Sequence, residues 1–204
     1  MKYLRTMSAM IPSIMKSITE PLYVPGMEQT KEWRKSQSWY VDGKHNECEL
    51  FQRKQIETML GVECAKTNMR FNTETCELQT MTRPLDHDNG FEWTEDFDGL
   101  SVIDNKKFYF NLKFICDAGG AQTRSLREVY HFVKCQLEYL RLHSADETPV
   151  YFINILDGNT SMKHLSKFKY LVEKELYSPI SKYLFIGDMF TFNEWYTMLQ
   201  KETP

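Results

Sequence analysis

The sequence predicts an α/β fold of α+β character, a mixed central sheet flanked by helices. Three observations predict it. Residues 107–116 are a strand of aromatic and β-branched residues entered through a tight turn at Asp104-Asn105-Lys106, which folds them back antiparallel on residues 100–103. Residues 122–143 form the clearest helix, with Leu126, Val129, Tyr130, Val133, Leu137 and Leu140 in one stripe at helical period. Residues 149–156, PVYFINIL, are a near-continuous apolar run, the mark of a strand buried on both faces. A hairpin followed by a crossover helix and a buried strand places antiparallel and parallel pairs in one sheet.

The remaining elements follow in order. Residues 1–18 carry Met7, Met10, Ile11, Ile14, Met15 and Ile18 at helical spacing with Lys2, Arg5 and Lys16, interrupted by Pro12. They read as an amphipathic arm, and not as a secretory signal, which needs an unbroken apolar core. Residues 19–45 are an irregular or short-helical lead-in tied down by Trp33, Trp39 and Tyr40. Asn46 is placed to cap a helix over 47–60, with Glu49 at the capping-box position and Gly61 as its stop. Residues 69–73 and 77–82 alternate weakly, as short strands do, and 83–90 (RPLDHDNG) is a turn. Beyond the apolar run, Asp157-Gly158 turns the chain into a helix over about 161–176. A short buried strand at 183–186 ends at Gly187-Asp188, and a helix over 191–200 completes the chain. No repeat, linker or low-complexity segment divides it. A single domain over 1–204 is expected, with 1–45 as arm and lead-in and 46–204 as core.

The 204 residues suffice for a real core, and a net charge of -3 does not exclude an acidic partner, because local clusters of Lys and Arg decide such binding. The five cysteines are odd in number and none are spaced as CxxC, which argues for free thiols in a reducing compartment and against a zinc site. No stretch approaches the ~20 apolar residues of a membrane span. There is no GxSxG, P-loop or GxGxxG. Asp86-His87-Asp88-Asn89 alternates within a turn, where side chains point outward.

Chemistry concentrates between residues 92 and 128. Asp98 opens a strand, with Glu92, Glu95 and Asp96 crowding it. Strand period sets Phe108, Phe110, Leu112 and Phe114 on one face and Tyr109, Asn111, Lys113 and Ile115 on the other. A lysine in an otherwise apolar strand costs stability unless it is paired or used, and the hairpin returns it toward Asp98. Gly119-Gly120 then leads into the helix, where Thr123 can cap and free amides attract an anion. Arg124 and Arg127 share one side of the first turn, where the helix dipole gives cations no advantage. An anion bound between them explains the placement, and arginine forks onto phosphates and guanine edges.

Asp98, the tripeptide Asn111-Leu112-Lys113 and the order of elements resemble the PD-(D/E)XK nuclease superfamily, and within it the type II restriction endonucleases. The resemblance covers roughly residues 46–188. GGAQTRSLREVY and FIGDMF are similar to features of the restriction-enzyme branch. Phe97 stands where the motif has proline, and Asn111 stands where it has its second acid. Asparagine coordinates a hard cation through its carbonyl oxygen but brings no charge. Glu49, Glu57, Glu128 and Asp117 are the acids that can stand in.

The resemblance implies a restriction-endonuclease-like core and a Mg²⁺-dependent, sequence-specific endonuclease of double-stranded DNA. It implies catalytic roles for Asp98, Asn111 and Lys113 and metal binding at Asp98 and Asn111. Gln122, Arg124 and Arg127 would hold DNA. A homodimer reading a palindrome and a place in the cytoplasm of a microbial or viral host cell are further expectations. A structure-specific repair or recombination nuclease, and a non-catalytic DNA-binding domain of the same fold, are the alternatives.

Overall fold

A computed structural model describes residues 27–42, 44, 46–81, 93–117, 119–143 and 150–202. The amphipathic arm at 1–18 and the turn at 83–90 lie outside them. The described chain opens with α1 (Met27–Ser36) and α2 (Glu47–Leu60). A small sheet follows, of β1 (Met69–Asn72), β2 (Glu77–Thr80) and β3 (Thr94–Asp96). The hairpin strands β4 (Gly99–Ile103) and β5 (Lys106–Phe114) lead to α3 (Gly120–Leu142), then β6 (Val150–Asp157) and α4 (Asn159–Val172). A 3-10 segment (Glu175–Tyr183), β7 (Leu184–Gly187) and α5 (Met189–Glu202) complete it.

The main sheet has the order β4-β5-β6-β7. β4 pairs antiparallel with β5, whereas β5 with β6 and β6 with β7 run parallel. The mixed α/β character expected from the sequence is therefore present. The second sheet, β2-β1-β3, is wholly antiparallel; β1 and β2 are the short strands expected at 69–73 and 77–82, whereas β3 and the separation of the two sheets were not foreseen.

The alternation of β5 sorts the molecule into two cores. Phe108, Phe110 and Leu112 join Tyr151, Ile153, Ile155 and Phe185 beneath α2 (Ile56) and α5 (Phe192, Tyr196). Tyr109, Phe152 and Leu156 face the other way, against Val129, Phe132, Val133 and Leu137 of α3 and Leu165 and Phe168 of α4. The small sheet joins this second core through Phe71, whose ring meets Phe97, Phe132, Tyr139 and Phe152 at centroid distances of 5.3–5.8 Å. Burying each such side chain contributes about 2–3 kcal/mol. α1 docks through Trp33, which stacks on Phe114 and meets Trp39 and Phe51 edge-on.

Three local expectations need correction. Asn46 precedes α2 but makes no side-chain cap; its carbonyl accepts Leu50 N–H, while Gly61 ends the helix in the left-handed region at φ 68° as expected. Thr123 lies inside α3, where its hydroxyl donates to Gly119 O at 3.0 Å, so Gly119 is the N-cap residue and no side chain caps it. The helix expected over 161–176 begins at Asn159 and stops at Val172, and the following segment tightens to 3-10 around Pro179. There Pro179 lacks the amide that an α-helix would need.

Candidate active site

Asp98 and Lys113 are brought together by the register of one hairpin. Asp104 (φ 48°) and Asn105 (φ 63°) form a two-residue turn with both residues in the left-handed region, as a type I′ turn demands. From that turn the ladder runs Ile103↔Lys106 to Gly99↔Phe110. Asp98 continues it: its N–H donates to Phe110 O at 2.8 Å, and its Oδ2 accepts Leu112 N–H at 2.6 Å. The Lys113 ammonium stands 3.9 Å from the same Oδ2. The pair is partly open, with side-chain exposures of 35% for Lys113 and 20% for Asp98, so it can meet a ligand.

Other acids surround it. Burial raises the Asp98 carboxyl above the usual carboxylate range, against the pull of Lys113 and the Leu112 amide, and Asp96 adds to the rise. Glu49, in the first turn of α2, is raised by burial and then by the charge of Asp98, with Arg53 and Lys113 opposing. Glu95 of β3 is raised by burial; Lys113 opposes, and Glu128, Asp96 and Asp98 add to it. Asp98, Glu49 and Glu95 all feel the charge of Lys113, and Arg53 acts on Asp98 and Glu49 as well. Asp96 is held in a 2.8 Å bridge with Arg70, and Glu49 meets Arg53 at 3.4 Å.

Asn111 lies elsewhere. It is 2% exposed, and its Nδ2 donates at 3.0 Å to Oδ1 of Asn154, its register partner on β6. Asn154 in turn donates to Gln136 Oε1 at 2.7 Å and to Phe185 O at 3.2 Å, and accepts from Gln136 Nε2. Asn111 belongs to a buried amide network that ties β5, β6 and α3. Such groups are costly to strand, which is why they pair inside the core. Among the expected stand-in acids, Glu57 accepts Cys64 N–H at 3.1 Å and Asp117 bridges Lys31 at 2.8 Å, whereas Glu128 is exposed on α3 near Glu95. Among the described residues no group of three His, Cys, Asp or Glu gathers as a metal centre.

Gln122 is half-buried, and Arg124 and Arg127 are exposed at the start of α3. Six residues separate Lys113 from Gly120, the first residue of that helix, so Arg124 and Arg127 stand in its second turn and not in its first as expected. With no side chain capping α3, its first amides remain donors for an anion. Glu95 is the site residue that sequence reasoning overlooked. Only the crowding of acids around Asp98 hinted at it, because β3 is three polar residues with no hydrophobic period.

A second acidic centre lies at the carboxyl ends of β6 and β7. Asp157 Oδ1 accepts Met189 N–H at 3.0 Å and its Oδ2 accepts the Gln52 amide at 2.7 Å. Asp188 accepts Thr191 N–H at 2.9 Å and the Thr191 hydroxyl at 2.7 Å. Both acids cap the start of α5, and two helix N-termini converge here, which explains acids in so buried a place. On the far side of β7, a cavity of about 480 Å³ opens between α4 and α5, floored by Leu184 and Ile186 and walled by Phe168 and Trp195.

No helix among the described residues is long and apolar enough to cross a membrane. No protein-family model matches the chain, and no match is found among curated proteins or among solved structures.

Proposed function

We propose that the protein is a Mg²⁺-dependent endonuclease of double-stranded DNA, related in plan to the PD-(D/E)XK restriction enzymes and acting as a homodimer. The observation that carries this reading is the Asp98–Lys113 pair, partly exposed at the end of a hairpin strand. Glu49 and Glu95 each feel the charge of Asp98, and carboxylate oxygens are the donors Mg²⁺ takes, although no three such groups gather into a preformed centre among the described residues. Asp98 would hold the metal, with Glu95 or Glu49 supplying the charge that Asn111 does not. When bound, the metal supplies charge neutralisation at the phosphate and a more acidic water. Lys113 orients the attacking water and stabilises charge building on the phosphate oxygens. Gln122, Arg124, Arg127 and the α3 amides hold the strand.

The experiment is plasmid and oligonucleotide cleavage with Mg²⁺, with Asp98→Ala, Lys113→Ala and Glu95→Gln beside the parent. Discrete fragments, reduced roughly 100-fold or more in the first two variants, are expected. Cutting confined to branched or nicked duplexes would turn the reading toward a repair or recombination nuclease. The engagement of Asn111 with Asn154 favours a second reading, a DNA-binding domain that does not cut. Duplex binding without cleavage in Mg²⁺ or Mn²⁺ would select it.

A further inference from the structure

We propose that Cys76 and Cys135 form a thiol–disulfide redox site, closing into an intramolecular disulfide that fastens the β1–β2 hairpin to the middle of α3. The hairpin turn presents Cys76 in a fixed pose. Its N–H donates to Asn72 O at 2.9 Å, and Asn72 Oδ1 takes the amides of Glu74 and Thr75 at 2.9 and 3.1 Å. These bonds hold the Cys76 backbone at φ 56°, in the left-handed region. Opposite it on α3, the buried Cys135 thiol donates to Thr73 O at 3.5 Å, so its sulfur already rests on the same turn. Cys76 packs against the core cluster that contains Cys135. Burial, and then this neighbour, push the Cys135 thiol up to about 12. A disulfide needs two cysteines on facing elements, and the Cys135 sulfur rests on the turn that carries Cys76.

The two thiols differ in access, and that sets the order of events. Cys76 is half-buried, whereas Cys135 is 4% exposed. A small-molecule disulfide such as glutathione disulfide meets Cys76 first. The Cys76 sulfur attacks one sulfur of the oxidant, the S–S bond breaks, and one glutathione thiol leaves with a proton. The Cys135 sulfur then attacks Cys76 Sγ, releasing a second glutathione thiol with the second proton. Two protein thiols are oxidised and one glutathione disulfide is reduced. Because β1 also pairs with β3, which carries Glu95, the new bond ties the small sheet to the helix bearing Arg124 and Arg127.

The test uses the full chain, oxidised with glutathione disulfide, alkylated, and mapped by peptide mass spectrometry without reduction. A Cys76–Cys135 cross-link with the loss of two hydrogens is expected. The cross-link closes a loop on the order of 60 residues, so the melting temperature should rise on the order of 5–10 °C and fall back with dithiothreitol. Cys76→Ser should abolish both effects. Cys135→Ala should instead trap glutathione on Cys76, which keeps the test informative if one variant folds poorly. A stable glutathione adduct on Cys76 of the parent chain, a cross-link joining Cys48 to Cys116, or no oxidation at all would overturn the proposal.

Discussion

Asp157 sits fully inside the molecule, and burial, followed by the neighbouring Asp188, raises its carboxyl from an ordinary 3.8 to about 7. The sign of the consequence is set by which state holds the proton. Between about pH 4 and pH 7 the folded protein keeps a proton that the unfolded chain has released, so stability falls as pH rises through this window and then levels off. A rise of about 3 pH units at 1.36 kcal/mol each makes roughly 4 kcal/mol the upper bound on that loss. Asp157→Asn removes the charge at every pH. The buried Gln52 Oε1, which has no hydrogen-bond partner among the described residues, can then accept from the new amide if Gln52 rotates, at the cost of its 3.2 Å bond to Lys113 O. That lost bond costs about 1 kcal/mol. The variant should therefore be about 1–3 kcal/mol more stable than the parent at pH 8, with no such advantage at pH 4. Urea unfolding followed by fluorescence of the four tryptophans, at pH 4, 6 and 8, measures it. Parallel stability–pH curves for the two proteins, or a variant weaker than the parent at pH 8, would refute the reasoning.

Further outcomes are expected elsewhere. Asn154→Ala strands Asn111 and Gln136 in the core and should cost about 3 kcal/mol in urea unfolding, with loss of slow-exchanging amides in β5, β6 and α3. Gly158→Ala places a methyl group 2.3 Å from Ile115 O at a backbone φ of 91°, and should destabilise by about 3 kcal/mol or more, seen as a lowered melting temperature. Arg124→Ala and Arg127→Ala should each lower the slope of log affinity against log salt for duplex DNA by about 1, measured by fluorescence anisotropy, while leaving the melting temperature unchanged.

The parts of the fold legible in the sequence were those with a local cause. The stripe of α3, the apolar run of β6, the stop at Gly61 and the two-sided pattern of β5 each follow from residues near one another in the chain. The meeting of Asp98 and Lys113 was legible for the same reason, since a tight turn and period-two alternation are enough to place them. What was hidden depends on distant partners. Asn111 reads as a motif position until Asn154, 43 residues away, claims its amide. β3 has too few apolar residues to announce a strand, and with it Glu95 was lost. Thr123 looked like a cap because it follows two glycines, yet the helix starts one turn earlier on backbone geometry alone.

The two-residue turn at Asp104-Asn105 stands at the opposite end of β4 and β5 from Asp98 and Lys113. One extra residue inserted there would slide the strands by one place and exchange the faces of everything beyond it. Lys113 would turn toward the layer that holds Phe108 and Phe110, and Asp98 would lose its hold on the Leu112 amide. The spacing of the candidate chemistry is therefore measured out by a turn that touches none of it, and a change in loop length could silence the site while leaving each of its residues in place.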